Sequence, residues 1–231
     1  MSRRDELAAN LAAVRERIAV AAAAAGRNPA EITLIAVTKT WPASDVQLLS
    51  ELGVTDVGEN RDQEAAPKHA ECAGLPLRWH FIGQVQRNKA ASIASYADVV
   101  HSVDRVVLVD ALDQHAGRQG RRLSALVQVA LDDAAGRGGV PVEQVPELAA
   151  AVDAAEWLTL GGVMAVAPLG VDPDAAFARL AAVAAEVRRA HPEAAVVSAG
   201  MSGDLDAAIR HGATHLRVGT ALLGHRGPSF G

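Results

Sequence analysis

Lys39 ends a run of β-branched and aliphatic residues, Thr33 to Thr38, and lysine occurs at only two other positions, Lys68 and Lys89. A lysine at the edge of so apolar a stretch borders low-dielectric surroundings, which favour the neutral amine and its attack on a carbonyl. The residue chemistry therefore offers a Schiff base on Lys39. It equally allows the plainer course in which the side chain leaves the strand and snorkels to solvent. Arg217 lies between Leu216 and Val218, and a buried guanidinium needs an acceptor. An acidic side chain or the ring nitrogen of a bound heteroaromatic would serve. Ser198-Ala199-Gly200-Met201-Ser202-Gly203 runs into a helical pattern, so small residues expose backbone N–H groups where the helix dipole favours an anion. Ser202 with Asp204 to Asp206 could also be an ordinary helix cap. Gly219-Thr220 offers a second set of backbone donors.

These residues need elements to bring them together. Leu7, Leu11, Val14 and Ile18 recur at helical spacing after a Ser2 to Asp5 capping pair, and Gly26 closes that helix. From Thr33 onward the chain alternates. Strands are expected at 33–39, 54–58, 78–82, 99–103, 125–131, 158–166, 194–198 and 215–218, with helices between them. The second of these helices, Arg61 to Cys72, should be interrupted or kinked around Pro67. Eight strands alternating with helices predict one (β/α)₈ barrel over residues 1–231, a TIM barrel, with its chemistry at the carboxyl ends of the strands. Lys39 then follows strand one, Asn60 strand two and Ser198 strand seven, while Arg217, Gly219 and Thr220 mark strand eight. A barrel commonly holds phosphate with the loops after strands seven and eight. An aldehyde for Lys39, an anion for the backbone cup and a ring nitrogen for Arg217 together describe pyridoxal 5'-phosphate.

Composition removes several other classes. The net charge of −5 gives no basic face for nucleic acid, and only 3% of residues are aromatic, which favours alanine-rich helices over a β-sandwich. The single cysteine, Cys72, cannot form an internal disulfide, and no His/Cys spacing resembles a zinc site. The amino-terminal stretch lacks a signal-peptide core, and no segment reads as a membrane span, so a cytoplasmic protein without a membrane partner is expected.

Seven motifs carry a resemblance to a known family. They are Ala36-Val37-Thr38-Lys39, Val57-Gly58-Glu59-Asn60, Trp79-His80-Phe81-Ile82-Gly83 with Gln86 and Asn88-Lys89, Ser102-Val103-Asp104, Gly161-Gly162-Val163-Met164, Gly200-Met201-Ser202 with Asp204, and Arg217-Val218-Gly219-Thr220. In this order they resemble the pyridoxal phosphate homeostasis proteins, whose barrel is related to the amino-terminal domain of alanine racemase (fold type III). The resemblance implies a covalent aldimine on Lys39 and Asn60 beside the ring. It implies phosphate held by Ser198, by the backbone around Met201 and Ser202 and by Gly219-Thr220, with Arg217 facing the pyridine nitrogen. His80 is open between a packed strand histidine and a cofactor contact. In the loop Asp132 to Gly138, Ala134 and Arg137 stand where many relatives carry glutamate and lysine, so a second transient site using that lysine is not expected; Ala199 replaces a frequent methionine.

The resemblance also implies a carrier that buffers the aldehyde in vitamin B6 and amino-acid balance and passes it transiently to pyridoxal-phosphate-dependent apo-enzymes, acting as a monomer. A monomeric amino-acid racemase is the alternative, and a Schiff-base aldolase without bound cofactor a third. Alanine racemase adds a carboxy-terminal β domain with a tyrosine base, whereas this chain ends soon after strand eight and its one tyrosine, Tyr96, is expected on a helix away from the mouth.

Overall fold

The computed structural model describes residues 1–132 and 138–224. The departures expected at Ala134 and Arg137 lie outside them. Helix α1 (Arg3–Ala24) opens with the expected capping box: the Asp5 amide donates to Ser2 Oγ at 3.2 Å and the Ser2 amide to Asp5 Oδ2 at 3.0 Å. Its apolar stripe of Leu7, Leu11, Val14 and Ile18 is buried. Arg3 and Asn10 donate to the carbonyls of Leu223 and Leu222, and Arg27 to those of Ile209 and Ala213, which straps α1 to the end of the chain.

Eight parallel strands follow: β1 (Thr33–Val37), β2 (Asp56–Glu59), β3 (Arg78–Phe81), β4 (Val99–Val103), β5 (Leu123–Gln128), β6 (Leu158–Met164), β7 (Val196–Ser198) and β8 (His215–Val218). They pair in sequence order, and β8 closes on β1 with Thr33 opposite His215 and Ala36 opposite Val218. The expected barrel is therefore present, with several strands a few residues shorter than expected because the loops begin inside the apolar runs.

The intervening helices are α2 (Ala43–Glu51), α3 (Asp62–Glu71), α4 (Ala90–Tyr96), α5 (Val106–Gln119), α6 (Val145–Asp153), α7 (Pro173–Ala190) and α8 (Leu205–Arg210), and a short α9 (Thr220–Leu223) follows β8. Their apolar faces pack on the outside of the strands, where most of the core sits. Helix α3 runs through Pro67 without an interruption. Pro67 lies on the exposed face, where water can take the carbonyl that its missing N–H would have met.

The inside of the barrel divides in two. Val99, Leu126 and Met164 form a small apolar cluster apart from the main core. Much of the rest of the lumen is polar, with Asp56, His80, His101, Ser198 and Arg217 all buried beside Ile35. Bulky aliphatic side chains usually fill this space.

Candidate functional site

Parallel strands in one barrel bring their carboxyl ends to a single mouth, which gathers Lys39, Asn60, the segment after β7 and the segment after β8. Lys39 is exposed and makes no hydrogen bond or ion pair among the described residues. The low-dielectric setting expected for it is absent, because the chain leaves the strand at Val37 and Thr40 takes a left-handed φ of 66°. The backbone around Lys39 is nonetheless held on both sides. Thr38 Oγ1 donates to Glu59 Oε1 at 2.6 Å, Lys68 Nζ donates to the Thr38 carbonyl at 2.8 Å, and the Thr40 amide donates to Glu64 Oε2 at 2.9 Å. Burial pushes the Glu59 carboxyl up, outweighing its bonds from Lys68 and Thr38.

Asn60 is half-buried at the end of β2. Its carbonyl oxygen passes so close to Gly83 that a Cβ there would sit 1.9 Å from it. Only glycine permits that approach.

After β7, Gly200 turns the chain at a φ of 88°, and its carbonyl accepts the Arg217 amide at 3.0 Å. The two halves of the expected anion cup are tied together, since the Ala221 amide donates to Ser202 Oγ at 3.3 Å. The Met201 amide donates to Asp204 Oδ1 at 2.6 Å, so it is taken by a local turn rather than left for a ligand. Among the described residues the amides of Ser202, Gly203, Gly219 and Thr220 have no hydrogen-bond acceptor. Nothing lies within 4 Å of where a Gly203 side chain would begin.

Arg217 is 5% exposed, and no carboxylate pairs with it among the described residues. Its Nη1 donates to Ser198 Oγ at 2.6 Å and its Nη2 to the Ala165 carbonyl at 2.9 Å. Burial pulls the guanidinium down to about 10, with Asp204 opposing. The Ser198 hydroxyl thus faces Arg217 and His101 inside the barrel, not the anion cup the sequence suggested for it.

His80 is neither simply packed nor placed at the mouth. Its Nε2 lies 2.9 Å from Asp56 Oδ1 and its Nδ1 2.8 Å from His101 Nε2, and His101 Nδ1 lies 3.0 Å from Ser198 Oγ. Sequence reasoning passed over His101 and Asp56. The available signal was one ionisable residue inside each of two largely apolar strands, Val54 to Gly58 and Val99 to Val103.

The mouth can therefore take a molecule with a carbonyl for a free amine, an anion for free amides and a lone pair for a guanidinium that no carboxylate contacts among the described residues. Comparison with known proteins agrees with that chemistry. The family model described as "Alanine racemase, N-terminal domain" matches residues 9–227. A pyridoxal phosphate homeostasis protein of Mycobacterium tuberculosis is 46% identical over 243 residues, covering 97% of this chain and 94% of that protein. The structure of PipY of Synechococcus elongatus PCC7942 with PLP bound is 35% identical and superposes with a TM-score of 0.80, over 94% of this chain and 100% of that one. Alanine racemase of Corynebacterium glutamicum, 16% identical with a TM-score of 0.70, shares the fold over 98% of this chain and 62% of its own.

Proposed function

The chain belongs to the family of pyridoxal phosphate homeostasis proteins, and from that membership we propose that it binds pyridoxal 5'-phosphate at the carboxyl-terminal mouth of its barrel and carries or buffers it in vitamin B6 and amino-acid homeostasis. When bound, that molecule supplies a reactive aldehyde, a phosphate and a pyridine nitrogen.

The observation that carries this reading is Arg217. Among the described residues this buried guanidinium bonds to a hydroxyl and a carbonyl, with only the more distant charge of Asp204 to offset its burial, and an acceptor delivered from outside would stabilise it. The surrounding residues fit the same molecule. Lys39 offers an unpaired amine for the aldehyde carbon. The amides of Ser202, Gly203, Gly219 and Thr220 offer donors for the phosphate, and Asn60 stands beside the ring. Met201 contributes to the shape of the cup rather than a donor, and Ser198 contributes through Arg217.

The same residues favour carriage over turnover. Arg217 donates hydrogen bonds and keeps its own proton, so a ring nitrogen facing it stays unprotonated and a weaker electron sink. Tyr96 is buried at the end of α4, and burial beside Asp62 and Glu59 pushes its hydroxyl far above its ordinary value, which removes it as a base. Transient handover to pyridoxal-phosphate-dependent apo-enzymes, by a monomer in the cytoplasm, completes the proposal.

Borohydride reduction of the protein loaded with pyridoxal 5'-phosphate, followed by tryptic mapping, tests it. The pyridoxyl group should sit on the peptide containing Lys39, and attachment to Lys68 or Lys89 alone, or none, would overturn the assignment. Exchange of amino-acid α-protons at enzyme-like rates, abolished in Lys39→Ala, would establish the racemase alternative instead.

A further inference from the structure

We propose that Asp56, His80 and His101 are positioning residues which act through Ser198 to fix Arg217 as a hydrogen-bond donor to the ring of the bound cofactor. The inference rests on the reading that Arg217 faces that ring.

Five buried side chains from five strands form one unbroken chain of hydrogen bonds across the lumen. Arg217 Nη1 meets Ser198 Oγ at 2.6 Å, Ser198 Oγ meets His101 Nδ1 at 3.0 Å, His101 Nε2 meets His80 Nδ1 at 2.8 Å, and His80 Nε2 meets Asp56 Oδ1 at 2.9 Å. Its far end is itself anchored, because Thr55 Oγ1 donates to Asp56 Oδ2 at 2.6 Å.

With both imidazoles neutral, the two ends determine the order of protons between them. An arginine can only donate and an ionised carboxylate can only accept. His80 must therefore give its Nε2 proton to Asp56, which leaves its Nδ1 bare to accept from His101 Nε2–H. His101 Nδ1 is then bare and takes the Ser198 hydroxyl proton, so the serine oxygen turns its lone pairs to Arg217. Every group is satisfied with both imidazoles neutral. Burial favours that state: it holds both rings below the ordinary histidine value, His101 well below it, with the neighbouring charge of Arg217 adding to the effect on His101.

The consequence lies at the mouth. One nitrogen of the guanidinium is pinned by this chain and the other by the Ala165 carbonyl, so the plane of the guanidinium is set before any ligand arrives. Preorganised donors of this kind hold a ligand atom at a defined place without reorganising. An aliphatic filling of the lumen would leave the Ala165 carbonyl as the one bond holding Arg217 among the described residues.

The test begins without cofactor. Nitrogen-15 NMR of histidine-labelled wild-type protein should show His80 and His101 as neutral Nε2–H tautomers, and an imidazolium or an Nδ1–H tautomer at either would overturn the proton order. Binding provides the second arm. His101→Leu, and the milder Ser198→Ala, should weaken pyridoxal 5'-phosphate about tenfold, as expected for a lost bond to a charged group. A benzene-ring analogue that keeps the aldehyde and phosphate but lacks the ring nitrogen should bind both variants as it binds wild type. Equal losses for the two ligands would reduce the chain to packing and sink the positioning role. If wild-type protein bound neither ligand, the proposed function would fall, and the tautomers would still decide the order of the chain.

Discussion

Lys68 Nζ lies 2.6 Å from Glu59 Oε1, with both side chains buried, and this ion pair stands against the backbone that presents Lys39. Neither residue reaches the mouth. Their effect is to hold the backbone at the end of β1 while Lys39 itself is exposed, so an exposed amine is mounted on a fixed base.

Removing the cation alone should be severe. Lys68→Met leaves the Glu59 carboxylate buried without its partner, and loss of one member of such a pair costs about 3–5 kcal/mol. The loss should shrink as pH falls. Glu59 already titrates above its ordinary value, and in the variant its protonation would remove the buried charge from the folded state first, so the folded chain binds a proton that the unfolded chain does not. Urea midpoints of wild type and variant, measured across the weakly acidic range, should converge toward low pH; a constant gap would show that the ion pair is not the cause.

Lys39→Ala should abolish borohydride-stable attachment and keep weak binding of pyridoxal 5'-phosphate, because the cup and Arg217 arise from β7 and β8 rather than β1. Loss of the covalent contact should lower affinity by about two orders of magnitude, roughly 2.7 kcal/mol. Inorganic phosphate should compete for what remains. Unchanged affinity in equilibrium dialysis would mean that Lys39 plays no part.

Gly83→Ala should damage stability and site together. The new Cβ would meet the Asn60 carbonyl oxygen at 1.9 Å, and neither side of the contact is a flexible side chain. Overpacking of this kind costs about 1–3 kcal/mol or more. The shift must move Asn60, so cofactor affinity should fall with the denaturation midpoint; a variant of wild-type stability would show that the loop after β2 yields freely.

Acid should destabilise the fold through its buried histidines. Burial lowers His80 and His101, and it lowers His215 from 6.5 to about 4. Between those values the unfolded chain binds protons that the folded chain refuses, so stability is complete above 6.5 and declines as pH falls toward 4. Denaturation midpoints followed over that interval should drop steadily. A level profile would mean that these rings are charged inside the barrel.

Much of the architecture was legible in one dimension. Alternating apolar runs and helical periodicities specify eight strand–helix units, and parallel pairing then brings every strand's carboxyl end to one mouth. Lys39, Asn60, Gly200, Ser202, Arg217, Gly219 and Thr220 could therefore be assigned to one place from strand order alone. Positions that depend on side-chain direction were not legible. Pro67 reads as an interruption until its exposed face is known, and Met201 reads as a donor until Asp204 is seen to take its amide.

The buried polar chain belongs wholly to the tertiary structure. Asp56, His80, His101, Ser198 and Arg217 are spread over 162 positions of sequence, and a histidine in an apolar strand looks the same whether it is packed or bonded. Barrel closure and strand register bring the five into one lumen, where burial in a low dielectric favours a protein partner for each group. The sequence by itself determined which elements form and at which end the chemistry collects. Which polar atoms meet, and in what proton order, was decided only when the sheet closed on itself, because burial acts through neighbours in space.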